Sequence, residues 1–310
     1  MKKIFALLLS AALLVTLLAA CGGGNTTDTD TDTQEPATDA STTQVEEQEP
    51  DTGDASKDDP LNQDEIGEKE LLVVSFGTSY NDSRRETIGA IEKAMQTAFP
   101  DYSVRRAFTS QIIIDHVKDR DGVTIDNVEQ ALERAVNNGV KTLVVQPTHL
   151  MNGLEYEELT DELAKYSDSF EKIAIGDPLL TSDADFEAVM TAITDATKDA
   201  ADGKTAICFM GHGTTADSNS VYSKMQTLLT DKGFNDYYVG TVEATPSLDD
   251  VLAAVQKGNY EKVILRPLMI VAGDHANNDM AGDEDDSWKS TFEKAGYTVD
   301  CQVEGLGQLE

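Results

Sequence analysis

Three cysteines in 310 residues leave little scope for a covalent framework. Cys21 closes an apolar N-terminal run, Cys208 lies in an apolar strand-like stretch and Cys301 near the chain end, so the last two read as separate thiols. Basic residues are scarce: 24 Lys and Arg stand against 57 Asp and Glu, a formal net charge of −33. A surface of that sign repels phosphate, which excludes nucleic acid and anionic lipid headgroups as partners. Beyond residue 20 no apolar run approaches the roughly 20 residues of a membrane span. A Walker loop, a nucleophile elbow, a Cys-x-x-Cys pair and a His-Glu-x-x-His helix are all missing. Their absence argues against nucleotide hydrolysis, serine-hydrolase chemistry and metalloprotease chemistry, and no nucleotide cofactor is expected.

What is present begins with Met1-Lys2-Lys3, an apolar run to Ala20, and Leu18-Ala19-Ala20-Cys21. Residues 1–20 therefore read as a signal peptide with a small-residue cleavage site. A cysteine after Leu-Ala-Ala resembles the bacterial lipobox, which implies a lipid on Cys21. The expected location is extracytoplasmic, anchored to the cell membrane through that lipid alone; the competing reading, a transmembrane anchor, suffers from the shortness of the run. Residues 21–69 are Gly, Thr, Asp, Glu, Gln and Pro with hardly an aliphatic side chain. Such a segment buries too little to offset chain entropy and is expected to be an acidic, disordered tether.

From Leu71 onward β-branched runs alternate with amphipathic segments: 71–76, 102–107, 142–146, 172–175, 206–210, 238–241, 263–267 and 298–303. Strands alternating with helices imply an α/β fold with parallel sheets flanked by helices. Ser182 with Asp185 and Ser247 with Asp250 have capping-box spacing, while Gly139, Gly203, Gly233, Gly258 and Gly296 fall where helices should stop. The pattern repeats. Val74-Ser75-Phe76-Gly77-Thr78 echoes Met210-Gly211-His212-Gly213-Thr214, and Pro147 and Gly153 recur 120 residues later as Pro267 and Gly273. Two similar lobes follow, residues 70–180 and 181–310, facing a central cleft, with the metal site on the second.

Ligands of parallel sheets gather where strands end and helices begin. His212, Glu243 and His275 each follow a strand of the second lobe, 31 and 32 residues apart, about one βα unit. Two imidazoles and a carboxylate suit an exchangeable divalent metal with an open coordination position. Against this stand plainer readings: His212 hydrogen-bonded inside its Gly-His-Gly turn, Glu243 capping the helix near Ser247, His275 facing solvent. His149 ends a strand of the first lobe and either contacts a ligand or satisfies a loop carbonyl. His116 reads as helical and structural, and the Asp283-Glu284-Asp285-Asp286 run as charge at a helix start rather than a calcium loop.

Taken together, several segments are similar to one family. They are Ser75-Phe76-Gly77-Thr78-Ser79, His149-Leu150-Met151-Asn152-Gly153-Leu154-Glu155, Met210-Gly211-His212-Gly213-Thr214, and Gly273 to Gly282 with Ser287-Trp288-Lys289. They resemble the anaerobic-type sirohydrochlorin cobaltochelatases over nearly all of residues 70–310. The resemblance implies a class II chelatase fold and an ATP-independent lyase that inserts Co²⁺ into sirohydrochlorin or a related tetrapyrrole, with Ni²⁺ or Fe²⁺ as alternatives. It makes His212, Glu243 and His275 the metal-binding and catalytic residues. Phe76, Gly77, Thr78, Ser79, His149, Met151, Asn152 and Gly153 would contact the macrocycle, with Arg84 and Arg85 candidates for its carboxylates. A homo-oligomer is compatible with the reading. A non-catalytic tetrapyrrole- or metal-binding lipoprotein for uptake or storage is the rival function. The family ordinarily continues beyond Glu310 into a closing helix.

Overall fold

A computed structural model describes residues 52–64 and 66–309; the expected signal peptide, Cys21 and the first part of the tether lie outside them. Two four-stranded parallel sheets are present among these residues. The first contains β1 (Lys69–Ser75), β2 (Ser103–Phe108), β3 (Thr142–Pro147) and β4 (Lys172–Ile175) in the order β2-β1-β3-β4. The second repeats that order as β6-β5-β7-β8, from β5 (Thr205–Gly211), β6 (Tyr237–Thr241), β7 (Lys262–Pro267) and β8 (Thr298–Cys301). All eight coincide with the apolar runs of the sequence. The expected α/β fold with two similar lobes is thus the fold found, and the described residues form one compact unit.

The central strands β1 and β5 are buried on both faces, which is why they read as continuous rather than alternating apolar runs. Around the first sheet lie α1 (Asn81–Glu86), α2 (Ile88–Ala98), α3 (Gln111–Asp121), α4 (Val128–Asn137) and α5 (Leu154–Lys165). Leu72 and Val74 of β1 meet Leu132 of α4 and Leu159 of α5, while Leu71 and Val73 face Ile91 and Met95 of α2. The second sheet is covered by α6 (Asp183–Thr197), α7 (Ser220–Asp231), α8 (Leu248–Val255) and α9 (Trp288–Lys294). Ile207 and Phe209 pack on α6 and α7; Cys208 and Met210 pack on α8 and α9. The chain passes from one sheet to the other after β4, which pairs in the first sheet, and before α6, which packs on the second.

Both capping boxes form as spaced: Ser182 Oγ accepts from the Asp185 N–H, and Ser247 Oγ from the Asp250 N–H. Cys208 is buried and Cys301 half-buried, neither bridged. Asp283 and Asp285 pair with Lys289 and Lys294 of α9, as expected for charge near a helix start. Among the described residues no helix is long and apolar enough to cross a membrane.

One boundary moves. Residues from 52 onward, expected to belong to the disordered tether, fold against the first lobe. Leu61 is buried, Arg105 donates to the Gln63 carbonyl and Asn81 to that of Gly53. Asp58 accepts from Arg84 Nε at 2.6 Å and from Arg106 Nη1 at 2.7 Å, and Arg106 also grips Glu92. An acidic residue that composition assigns to solvent here compensates buried guanidinium groups.

Candidate metal centre at the cleft

Strand order decides which loops meet. Because β5 lies between β6 and β7, the segments leaving these three strands share one edge of the second sheet. His212 follows β5 directly, Glu243 comes two residues after β6, and His275 lies beyond β7 at the head of a π-helical turn, Ala276–Met280. The strand before His275 ends at Pro267, so a loop carries His275 back to the edge. The ligand atoms of His212, Glu243 and His275 all lie within 4.8 Å of one another. The two imidazole rings stand perpendicular with centroids 4.5 Å apart. Spacing alone had selected these three residues.

Hydrogen bonds determine which nitrogen each ring presents. His212 Nδ1 lies 2.8 Å from the Gly213 carbonyl oxygen and His275 Nδ1 2.7 Å from Asp279 Oδ2. Both oxygens only accept, so each Nδ1 carries the proton and each Nε2 keeps its lone pair, the arrangement typical of ligating histidines. The turn bond expected of a plain structural His212 is therefore present and prepares the ring for a ligand. Glu243 caps no helix, because α8 is served by Ser247 and Asp250; its N–H instead donates to the His212 carbonyl at 2.9 Å. The side chains of His212 and Glu243 are about half exposed, 48% and 57%, so the edge is open to an incoming ion.

The first lobe supplies the facing wall. Gly77 and Gly213 follow their strands at equivalent places, with φ of +105° and +88°. At Gly77 a Cβ would also strike the Phe108 ring at 2.5 Å. Phe76 thereby takes the place that His212 holds in the second lobe and is exposed. Leu154, at the start of α5, and Ile112, in the first turn of α3, are exposed on the same strand-end edge. Asn152 is exposed, and Met151, Gly153 and Ser79 are partly so. Gly77 and Thr78 are buried, with Thr78 against Gly273, two residues before His275. Thr78 thus lies where the two lobes touch. His149, expected at the macrocycle, is only 8% exposed, and neither of its ring nitrogens has a hydrogen-bond partner. His116 is an exposed residue of α3.

Arg84 does not serve as a carboxylate receptor. It is fully buried and spends its donors on Asp58, Asn81 Oδ1 and the Thr78 carbonyl, while Arg85 pairs with Asp82 and Glu86. The residue that sequence reasoning passed over is Glu155. Burial raises its carboxyl above the usual range, and its Oε2 lies 3.7 Å from His149 Nε2. The signal was available: the 120-residue offset joining Pro147 to Pro267 and Gly153 to Gly273 also joins Glu155 to His275.

A two-lobed α/β protein with a His–Glu–His cluster at the strand ends of one lobe belongs, by its geometry, among proteins that handle an exchangeable divalent metal in a cleft. Residues 69–310 match the family model described as cobalt chelatase (CbiK). The sirohydrochlorin cobaltochelatase of Salmonella typhimurium is 38% identical over 240 residues, 77% of this chain and 90% of that protein. The sirohydrochlorin cobaltochelatase CbiKC of Nitratidesulfovibrio vulgaris is 30% identical over 244 residues, 78% of this chain and 86% of that protein. The chain belongs to the cobalt chelatase (CbiK) family. The sirohydrochlorin chelatase SirB of Bacillus subtilis subspecies spizizenii, solved in complex with cobalt, shares the fold, with a TM-score of 0.52 at 15% identity over 77% of this chain and 88% of that one.

Proposed function

We propose that this chain is an ATP-independent lyase that inserts Co²⁺ into sirohydrochlorin or a closely related tetrapyrrole, with His212, Glu243 and His275 as the metal-holding and catalytic residues. The observation that carries the reading is the convergence of these ligand atoms within 4.8 Å, on loops from adjacent strands. Family membership and the names of the relatives support cobalt as the foremost metal. Donor chemistry alone accommodates Ni²⁺ or Fe²⁺, since affinities follow the Irving–Williams order.

Chelation exchanges two pyrrole N–H protons for one dication. The metal must be held loosely enough to leave, and the protons need acceptors. With Nδ1 protonated, His212 offers a single lone pair at Nε2, which either ligates the metal or takes a proton but cannot do both at once. The work therefore divides between the lobes. His212, Glu243 and His275 hold the dication on the second lobe, and Glu155, with its raised affinity for protons, accepts a pyrrole proton from the first. Exposed Phe76, Leu154 and Ile112 offer apolar surface on which a flat ring can lie. The signal-like N-terminus and Cys21 support the view that the enzyme works outside the cytoplasm on a lipid tether.

The test combines purified protein with sirohydrochlorin and Co²⁺ under anaerobic conditions and follows the absorbance of the ring. Multiple turnovers are expected, falling at least about 100-fold in His212→Ala. Titration calorimetry should show Co²⁺ affinity weakened by about tenfold or more in His275→Ala and Glu243→Ala. Unchanged affinity in both variants would remove the metal assignment. Tight ring binding without acceleration would instead support a carrier for uptake or storage.

A further inference from the structure

The first lobe holds an imidazole that the metal cluster does not use. His149 lies just beyond β3, its carbonyl accepting from the Leu179 N–H at 2.9 Å. The preceding residue is tied to β1 through the 2.8 Å bond from Thr148 Oγ1 to Ser75 Oγ. The backbone therefore dictates where the ring sits. The side chain is 6% exposed, and both Nδ1 and Nε2 are without partners. A ring that has lost its hydration and gained nothing in return is an uncommon arrangement, and it marks a place where a partner arrives.

The group that faces it is Glu155, whose Oε2 lies 3.7 Å from His149 Nε2, about 0.8 Å beyond the usual N–H···O separation. Glu155 stands on the first turn of α5 with 49% of its side chain exposed, so it is the member free to move. We propose that His149 is a positioning residue that captures the Glu155 carboxylate through an Nε2–H donor and aims it across the cleft toward His212. Glu155 then has two states, one in water and one docked. Only in the docked state does the first lobe present its proton acceptor to a ring held against the metal cluster.

The choice of an imidazole for this task has a physical reason. Burial pushes the His149 pKa down to about 4, so the ring stays neutral and donates without adding charge. A lysine or arginine in its place would bind the carboxylate more tightly but strip it of basicity, since a nearby cation favours the ionised form. Of the other groups acting on Glu155, a proton on His212 would lower its carboxyl and the charge of Glu158 on α5 raises it.

The inference rests on the chelatase reading, and its test separates the two. In the full chain, His149→Leu keeps an apolar body and removes the donor, whereas His149→Gln keeps an N–H. His149→Leu is expected to lower kcat by about 10- to 100-fold while KM for sirohydrochlorin and the Co²⁺ affinity stay within about twofold. His149→Gln should recover most of that loss, and Glu155→Gln added to His149→Leu should cost little more. Wild-type turnover in His149→Leu, equal impairment by Gln and Leu, or a loss confined to KM or Co²⁺ affinity overturns the proposal. The contact is also read without turnover. In a ¹⁵N imidazole spectrum of the wild-type chain, His149 Nε2 is expected to be protonated and to shift on Glu155→Ala; an unmoved resonance overturns the proposal even if chelation is confirmed.

Discussion

Replacing Asp58 by Asn tests whether residues ahead of the family-matched region are a working part of the fold. Asp58 is 5% exposed and accepts three guanidinium hydrogen bonds, at 2.6, 2.7 and 3.0 Å, from Arg84 and Arg106, themselves 0% and 1% exposed. With Asp58 and Glu92 the buried cluster is neutral; without the Asp58 charge, two guanidinium groups share Glu92 alone. Removing one member of such a buried network costs about 3–5 kcal/mol, mostly because charge is left uncompensated. That is a large fraction of the roughly 5–15 kcal/mol that holds a typical domain folded. With an m-value near 3 kcal/mol/M the urea midpoint should drop by about 1–1.7 M. Trp288, the single tryptophan, is buried in the second lobe, so its fluorescence follows that lobe while far-ultraviolet circular dichroism follows both. Coincident shifts would mean that the lobes unfold together. Burial raises the Asp58 carboxyl, but hydrogen bonds and charge from Arg106 and Arg84 outweigh it and leave the net pKa lowered. The contribution is thus present above the unfolded-state pKa and lost as pH falls through the folded one, so wild type and variant should converge in acid. A change below about 1 kcal/mol at pH 7 would refute the view that this segment is structural.

Glu70, at the start of β1, carries the opposite sign. Burial lifts its carboxyl to about 7 against the pull of Arg105 and Arg134, so the folded state binds the proton more tightly than the unfolded chain. Stability from this group is full below the unfolded pKa and lost as pH rises through about 7; Glu70→Gln should be near neutral at pH 4 and stabilising by on the order of 2 kcal/mol at pH 8, read by thermal melts. A destabilised variant at pH 8 would count against it. For the proposed anchor, Cys21→Ser is expected to move the protein from the membrane to the soluble fraction in cell fractionation; retention on membranes would count against lipidation.

Much of the fold could be read from local pattern. Strand runs, the Ser182 and Ser247 boxes and the echo of Gly77 in Gly213 depend on residues close in sequence, and each appears as expected. Gly258 is an exception: it stands after α8 but not in the left-handed conformation. His212, Glu243 and His275 were also legible, because a parallel βα repeat carries every strand end to the same edge and so turns regular spacing into proximity. Composition failed where a charge acts through burial. Asp58 and Arg84 look like surface residues along the chain, yet they neutralise each other inside the first lobe.

The sequence by itself determined the alternation of strands and helices, the duplication of lobes and which three residues would converge as a candidate metal cluster, since all of these follow from periodicity, turn chemistry and the family likeness. Only the tertiary structure decided that residues from 52 onward pack, that His149 lies beneath the surface and that Glu155 stands beside it. Depth and facing depend on how two separately patterned sheets approach each other, and that approach is set by contacts such as Thr78 with Gly273, between residues almost 200 positions apart.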